Sequence, residues 1–364
     1  MKNTYLSKLT LVIPTYERQE YALRNMKYWS NKDVCVMVLD GSDQPIDSEL
    51  LSPLVGQNII YEHSPCSSMQ RLMSVLPKLN TKYVAMLSDD EFYIPSAIEA
   101  CIYELENDVS LVSCFGRCIL FNHHKGALKT KLAYKNMTDY SVQHSNPDDR
   151  VLYHMNNYRP STICSIMRTD VWKSAISCID DDLYKVFALG ELQFEIASSY
   201  LGKSKVLPVL LWMCSGENTG ITDKKKVKKI NNWWVDRSNY ELREKMLNGL
   251  VLKLIGNQKG IDIEHVKKVI TKSIELYIAA IPKKQSSVRS IVVSQVAKLL
   301  SMLPRAIKDI LKRPAHIAYY NLKNFDNINV SAAHLKDEGV SVHLNELKDV
   351  ENIVVNFHNN LSRG

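Results

Sequence analysis

No stretch of this 364-residue sequence is apolar for long enough to cross a membrane. A membrane-spanning helix needs about 20 consecutive apolar residues, and the longest candidate, residues 206–214, is too short. The first residues also lack the pattern of a secretory signal peptide, because the apolar run from Leu9 to Ile13 is brief and is followed by Pro14 and charged residues. We therefore expect a cytoplasmic protein.

The cysteines lack the spacing of a metal site or a disulfide framework. There are 8 of them, none in a C-x-x-C pair, and most lie inside apolar runs, which favours reduced, buried thiols. The net charge of +7 is modest and spread along the chain. It favours anionic partners such as nucleotides or acidic lipid headgroups, and it is too diffuse to predict nucleic-acid binding.

Apolar runs alternate with segments of helical periodicity over the first 121 residues. Uncharged, β-rich runs predict strands, and apolar residues three and four apart predict helices between them. The predicted strands are 9–16, 34–39, 58–63, 83–87 and 111–121, and the predicted helices are 18–29, 67–76 and 95–105. This alternation is typical of an α/β fold with a mostly parallel, doubly wound sheet and flanking helices.

The pattern changes twice further along the chain. Residues 122–159 are polar and without a sustained period, which predicts an irregular loop over the site. A helix follows at 189–200, and a turn into a strand at 202–208. The composition shifts beyond Gly220, where a basic run begins, so we predict an α/β domain at 1–220 and a mainly helical region at 221–364. Short β-like runs at 340–344 and 353–357 remain unplaced.

The segment 286–313 combines apolar residues at helical spacing with Lys and Arg between them. Ordinary packing helices are one interpretation of this pattern. The alternative is an interfacial helix on an anionic membrane surface, which would make the protein peripheral on the inner face of the membrane.

Acidic residues follow two of the predicted strands. Asp40 directly follows the second strand, and Asp89, Asp90 and Glu91 follow the fourth strand after Ser88. In open α/β sheets ligands bind at the carboxyl edge of the strands, and a divalent cation that bridges to phosphate oxygens suits such a cluster of carboxylates. Helix capping and turn chemistry are the alternative explanations for these acids.

Six short segments in order resemble the inverting, nucleotide-sugar-dependent glycosyltransferases of family 2, which have the GT-A fold. The resemblance covers residues 9–215. Its segments are Val-Ile-Pro-Thr-Tyr at 12–16, Leu-Asp-Gly-Ser at 39–42, Ser-Met-Gln-Arg at 68–71, Leu-Ser-Asp-Asp-Glu at 87–91, Gly-Glu at 190–191, and the turn and strand at 202–208.

The resemblance implies a nucleotide site with named residues. Asp40 matches the position that reads uracil, and Pro14, Thr15 and Tyr16 line the nucleotide with Arg71 nearby. A carboxylate that accepts a hydrogen bond from the N–H of the base is chemically sensible.

The acidic motif is expected to bind both the metal and the donor. Asp89 and Glu91 are the predicted ligands of Mn²⁺ or Mg²⁺, and Asp89 and Asp90 are expected to contact the nucleotide sugar. These hard oxygen ligands suit a hard cation.

The resemblance also places the general base. Glu191 is the first candidate and Glu195, one helical turn later, is the second; residues 180–182 are a third. The chain departs from the family in two places. Leu192 stands where a second acid is usual, and no His follows the last strand as a metal ligand.

The predicted function is a metal-dependent inverting glycosyltransferase. It would move a sugar from a UDP-sugar donor to a glycan or lipid-linked acceptor in the synthesis of bacterial surface polysaccharide. A non-catalytic nucleotide- or glycan-binding protein is one alternative. A nucleotidyltransferase is another, although the glycine-rich phosphate loop of that class is missing after Ile13.

Overall fold

The computed structural model describes residues 5–56, 58–180, 186–218, 230–256, 260–281 and 325–361. Within these ranges the strands form one sheet. They are β1 (Leu9–Thr15), β2 (Cys35–Asp40), β3 (Ile59–His63), β4 (Tyr83–Met86), β5 (Phe92–Tyr93), β6 (Leu111–His124), β7 (Ala127–Ala133), β8 (Ser141–Val142), β9 (Ile166–Arg168), β10 (Lys203–Ser215) and β11 (Asp326–Asn327).

Helices cover both faces of this sheet. They are α1 (Gln19–Trp29), α2 (Ser48–Leu51), α3 (Ser68–Val75), α4 (Pro95–Asn107), α5 (Pro147–Asn156), α6 (Thr169–Ser177), α7 (Phe187–Leu201), α8 (Ile230–Val235), α9 (Tyr240–Ile255), α10 (Ile263–Ala280), α11 (Ile328–Asp337) and α12 (Leu344–Leu361). In the described residues no helix is both long and apolar enough to cross a membrane.

The sheet order is β11-β7-β6-β9-β4-β1-β2-β3, and β10 pairs with β5, β6 and β8. Strands β3, β2, β1 and β4 run parallel, as do β6 and β10, whereas β9 is antiparallel to β4 and β6. The predicted mostly parallel α/β sheet with flanking helices is confirmed. Because parallel strands end at the same edge, β1, β2 and the loop after β4 bring their polar residues together.

Strand periodicity explains why the central strands are apolar on both faces. In β1, Leu11 and Ile13 point into one hydrophobic core and Val12 points into the other. In β2, Val38 and Leu39 divide between the same two cores. Successive side chains of a strand face opposite sides, so a sheet covered on both faces needs uninterrupted apolar runs.

The prediction of an irregular loop at residues 122–159 is wrong. It contains β7, which pairs with the extended end of β6, and helix α5. Strand β7 alternates Thr130, which is buried, with lysines that face outward. Helix α5 has Asn146 as its N-cap and Pro147 in its first turn. This pair is a helix start signal, which the polar composition of the segment did not reveal.

One of the two β-like runs near the carboxyl end forms a helix instead. Residues 353–357 lie inside α12, which begins at Leu344, and residues 340–343 form only an isolated bridge, between Ser341 and Val209. Leu347, Val350 and Val354 of α12 are all buried. Their spacing of three and four residues buries one helical face, and this spacing outweighed the β preference of valine.

The mainly helical character of the region after residue 220 is confirmed. Helices α9 and α10 share one hydrophobic core with α6 and α7, and α11 and α12 share the other with the sheet. The predicted boundary near residue 220 therefore does not separate two hydrophobic cores in the described residues. The amphipathic segment 286–313 lies outside the described residues, so its membrane role stays a prediction.

Candidate active site

The loop of residues 87–91, which we call the acidic loop, lies at the carboxyl edge between β1 and β4. The Thr15 hydroxyl donates to Asp89 Oδ2 at 2.7 Å. Arg18 Nη2 lies 2.5 Å from Asp89 Oδ1, and Arg18 Nη1 lies 3.4 Å from Asp90 Oδ2. A guanidinium is thus held between two carboxylates.

Burial governs the protonation of Asp89. Its side chain is fully buried, whereas that of Arg18 is 24% exposed. Burial, and next the charge of Asp90, raise the pKa of Asp89 to about 7, although Arg18 and Thr15 favour the ionised form. Taking a carboxylate out of water disfavours its charged form unless a partner compensates.

Side chains of helix α1 hold the backbone of the acidic loop through hydrogen bonds. Asn25 Nδ2 donates to the backbone carbonyls of Asp89 at 3.0 Å and of Glu91 at 2.8 Å. Arg24 Nη2 donates to the carbonyl of Asp90 at 2.9 Å. The Asp90 carboxylate also accepts from Asn218 at 2.8 Å. The loop conformation is therefore fixed by side chains from elements far apart in sequence.

A second ion pair connects this loop to the carboxyl-terminal helix. Arg24 Nη1 lies 2.7 Å from Glu217 Oε2, and His358 of α12 lies 2.5 Å from Glu217 Oε1. Burial raises the pKa of Glu217, but His358 and Arg24 together lower it below its usual value. The imidazole of His358 stacks on His123 of β6 at 4.2 Å.

Glu91 is turned towards β10 instead of towards Arg18. Its carboxylate accepts from Trp212 Nε1 at 2.9 Å and from Cys214 Sγ at 3.3 Å. Burial, and next the charge of Asp90, raise the pKa of Glu91 to about 7. The two carboxylates that share the Arg18 guanidinium are therefore Asp89 and Asp90, and the predicted metal pair of Asp89 with Glu91 stays a prediction.

Asp40 lies at the end of β2, next to the acidic loop. Oδ1 accepts from the backbone N–H of Ser42 at 2.9 Å, and Oδ2 accepts from Gln19 and Tyr61, both at 2.6 Å. Burial raises the pKa of Asp40, but hydrogen bonds led by those from Ser42 and Tyr61 lower it overall. The side chain is fully buried, and its lowered pKa favours the ionised form at neutral pH.

Arg71 joins the ends of β1 and β2. Its Nη1 donates to the carbonyls of Thr15 at 2.6 Å and Leu39 at 2.5 Å. A Cβ atom on Gly41 would lie 2.3 Å from Arg71 Cζ, so only glycine lets the guanidinium fit there. Arg71 therefore holds the carboxyl ends of β1 and β2 together through their backbone carbonyls.

The rest of the predicted nucleotide segment lies at the same edge. Pro14 is half-buried in β1, opposite Leu39 of β2. Tyr16 follows β1 and is 46% exposed, so its ring is available to a ligand. Helix α1 begins at Gln19, and the partial positive charge of its N-terminus lies beside this edge.

The two predicted base candidates have different surroundings. Glu195 is fully buried; it accepts from His154 Nε2 at 2.8 Å, from the N–H of Ile163 at 3.1 Å and from the Thr162 hydroxyl. The Tyr140 hydroxyl lies 2.6 Å from His154 Nδ1. Glu195 is therefore a member of an interior network, since its carboxylate already has three partners.

Glu191 lies one turn earlier on α7 and is only partly buried. It accepts a hydrogen bond from the Tyr158 hydroxyl, and the Tyr158 ring packs edge-on against Tyr277 of α10 at 4.9 Å. Burial raises the pKa of Glu191, the Tyr158 hydrogen bond lowers it, and the charge of Glu195 raises it. Residues 181–182, part of the third candidate, lie outside the described residues.

The Tyr93 hydroxyl of β5 donates to the backbone carbonyl of Cys164 at 2.7 Å. Burial raises the pKa of the Cys164 thiol, and the charges of Glu91, Glu195 and Glu191 add to that effect. All 8 cysteines are thiols, as predicted, and 4 of them are buried.

Several residues of the site were not predicted. Arg18 lies two residues after the Val-Ile-Pro-Thr-Tyr segment, and its charge near that strand end could have identified it. Gln19, Tyr61, Tyr158 and Trp212 carry no local signal, because their partners are remote in sequence.

The acidic loop fits a hard divalent cation in part. Among the described residues, no group of three or more His, Cys, Asp or Glu side chains is arranged to hold a metal. Arg18 nevertheless shows that Asp89 and Asp90 can share one cation. Mg²⁺ is commonly bound by one or two carboxylates, with substrate phosphates and water completing its coordination.

Comparison with solved structures establishes the fold. The chain is similar to residues 1–349 of S. aureus TarS in complex with UDP-GlcNAc, with a TM-score of 0.50, 11% identity, and coverage of 78% of this chain and 77% of that one. Another structure of the same TarS fragment gives a TM-score of 0.46 at 12% identity, covering 78% and 76% of the two chains.

A longer TarS structure gives a TM-score of 0.47 at 11% identity and covers 82% of this chain. The match covers 50% of the length of that longer TarS structure, so this chain spans about half of it. No protein-family model matches the chain, and no curated protein matches it in sequence.

Proposed function

We propose that this protein is a nucleotide-sugar glycosyltransferase whose donor binds at the carboxyl edge of β1, β2 and the acidic loop. The convergence of Asp40, Asp89 and Asp90 at that edge carries the proposal. The shared fold adds support, since TarS was solved with UDP-GlcNAc at 78% coverage of this chain.

Asp40 and Arg71 would form the base and ribose end of the site. The ionised Asp40 carboxylate offers acceptor sites to the N–H of a uracil ring. Gln19, which bridges Asp40 and the carbonyl of Gln44 at 2.6 and 2.7 Å, would move aside when the base enters. Tyr16 supplies an exposed ring for stacking.

Asp89 and Asp90 would hold the Mn²⁺ or Mg²⁺ that accompanies the diphosphate. The bound cation would neutralise negative charge on the leaving diphosphate. The N-terminus of α1 and the guanidinium of Arg18 supply further positive potential at the same edge.

Glu191 is the proposed general base, in preference to Glu195. The acceptor hydroxyl would give its proton to the Glu191 carboxylate as its oxygen bonds to the anomeric carbon. The bond from that carbon to the diphosphate breaks in the same displacement, and the diphosphate leaves with the electron pair. One displacement inverts the anomeric configuration.

The acceptor and the biological setting follow only from the family resemblance. We propose a glycan or lipid-linked acceptor in bacterial surface polysaccharide synthesis, in the cytoplasm or at the inner face of the membrane. Liposome flotation tests the membrane part: vesicles of anionic lipid should bind the full chain, and lack of binding would remove the membrane-surface proposal.

Nucleotide release tests the proposed reaction. The purified chain is incubated with UDP-, GDP-, TDP- and CMP-sugars, Mn²⁺ and candidate acceptors. We expect release from a UDP-sugar, a loss of at least about a hundredfold in Asp90→Asn and Glu191→Gln, and no loss in Asp337→Asn, which changes an exposed acid. Nucleotide binding without release would favour the non-catalytic alternative, and release that survives both substitutions would contradict the site.

A further inference from the structure

The unusual feature of the acidic loop is its cation. Arg18 lies 2.5 Å from Asp89 and 3.4 Å from Asp90 and bridges them. The carboxylate of Asp89 is fully buried, and its other donor is the neutral hydroxyl of Thr15. A buried carboxylate without a counter-ion is costly, so Arg18 serves as the resident counter-ion of this pair.

We propose that Arg18 competes with the divalent cation for Asp89 and Asp90, so that metal binds tightly only together with a nucleoside diphosphate. The inference rests on the proposed function for the identity of the nucleotide. It adds a role that neither the predicted metal motif nor the shared fold assigns to Arg18.

Electrostatics explains the competition. A guanidinium between two carboxylates and a divalent cation at the same oxygens would repel each other at close range. Metal alone must therefore displace Arg18 into a position without a partner. When a diphosphate arrives with the metal, its oxygens accept hydrogen bonds from the displaced guanidinium.

Arg18 is placed for such an exchange. It is the residue before α1, with a backbone that is not yet helical. Its side chain is 24% exposed, whereas Asp89 is fully buried and Asp90 is 7% exposed. The backbone that carries the two carboxylates is held by Asn25, which donates to the carbonyl of Asp89, and by Arg24, which donates to the carbonyl of Asp90. The partly exposed guanidinium can move towards solvent.

Manganese titration of the full chain tests the competition without any turnover. Free Mn²⁺ is followed by its electron paramagnetic resonance signal, first without nucleotide and then with UDP. We expect Arg18→Gln to bind Mn²⁺ alone about tenfold more tightly than the wild type. In the presence of Mn²⁺ it should bind UDP about tenfold more weakly. A general loss of structure would not move these two affinities in opposite directions.

Two further variants complete the test. Lys27→Gln removes an exposed positive charge from the same helix and should change neither affinity by more than about twofold. Arg18→Lys keeps the charge but cannot bridge two carboxylates equally well. It should bind Mn²⁺ alone with intermediate affinity, and it replaces Arg18→Gln if that variant does not fold.

The outcomes separate this inference from the proposed function. If neither Arg18 variant binds Mn²⁺ alone more tightly than the wild type, the competition is wrong, including the case in which no protein binds Mn²⁺. If Mn²⁺ binding tightens as expected but UDP binds to none of the proteins, the competition stands for the metal and the nucleotide function fails.

Discussion

Replacing Glu91 by glutamine should stabilise the protein above neutral pH. Glu91 is half-buried, with its carboxylate held by Trp212 and Cys214, and its pKa is about 7 instead of the usual 4.5. The unfolded chain releases this proton near pH 4.5, and the folded chain releases it near pH 7. Between these values the native state binds more protons, so the free energy of unfolding falls as the pH rises.

The size of the effect follows from the difference between the two pKa values. Each pH unit corresponds to about 1.4 kcal/mol, so a rise from 4.5 to about 7 costs the ionised wild type about 3 kcal/mol. Glutamine has nearly the same shape, can accept from Trp212 and carries no charge. Glu91→Gln should therefore match the wild type near pH 4 and exceed it by about 3 kcal/mol at pH 8.

Equilibrium unfolding in urea between pH 4 and 8 measures this difference. Glu241→Gln, which changes an exposed glutamate, is the matched control and should follow the wild type throughout. Asp89, whose pKa is also raised, keeps some pH dependence in the Glu91 variant. Parallel curves for the wild type and Glu91→Gln would refute the assignment of a desolvated carboxylate at this position.

Two other substitutions test the two ends of the site. Gly41→Ala should lower the free energy of unfolding by about 1–3 kcal/mol and weaken UDP binding, because the added methyl group collides with Arg71. Urea unfolding measures the first effect and titration calorimetry with UDP the second. A variant unchanged in both would contradict the contact. Tyr158→Phe removes the hydrogen bond that lowers the pKa of Glu191, so the pKa of Glu191 should rise. The acid limb of the pH profile of nucleotide release should then move to higher pH, and an unmoved limb would contradict Glu191 as the base.

The sequence predicted the parallel strands because their physics is local. Uninterrupted apolar runs such as the one ending at Asp40 are required by a sheet with helices on both faces. Once β1, β2 and β4 are parallel, their carboxyl ends must meet. The convergence of Asp40 with Asp89 therefore followed from strand direction alone, without any knowledge of side-chain contacts.

The contacts that decide the chemistry could not be predicted, because they join distant residues. Arg18 meets Asp89 across 71 positions of sequence, and Trp212 meets Glu91 across 121. Local propensity also misled at residues 353–357, whose β preference yielded to the packing of α12. The same limit applied to Glu195, since nothing near it in sequence indicates its bond to His154.

A crystal structure of the chain soaked with Mn²⁺ and UDP would show where the metal and the nucleotide bind. Anomalous scattering locates the manganese independently of the nucleotide. We predict manganese on Asp89 and Asp90, phosphate oxygens beside Arg18, and the uracil ring against Asp40. Nucleotide bound away from this edge, or manganese bound elsewhere on the protein, would contradict the account.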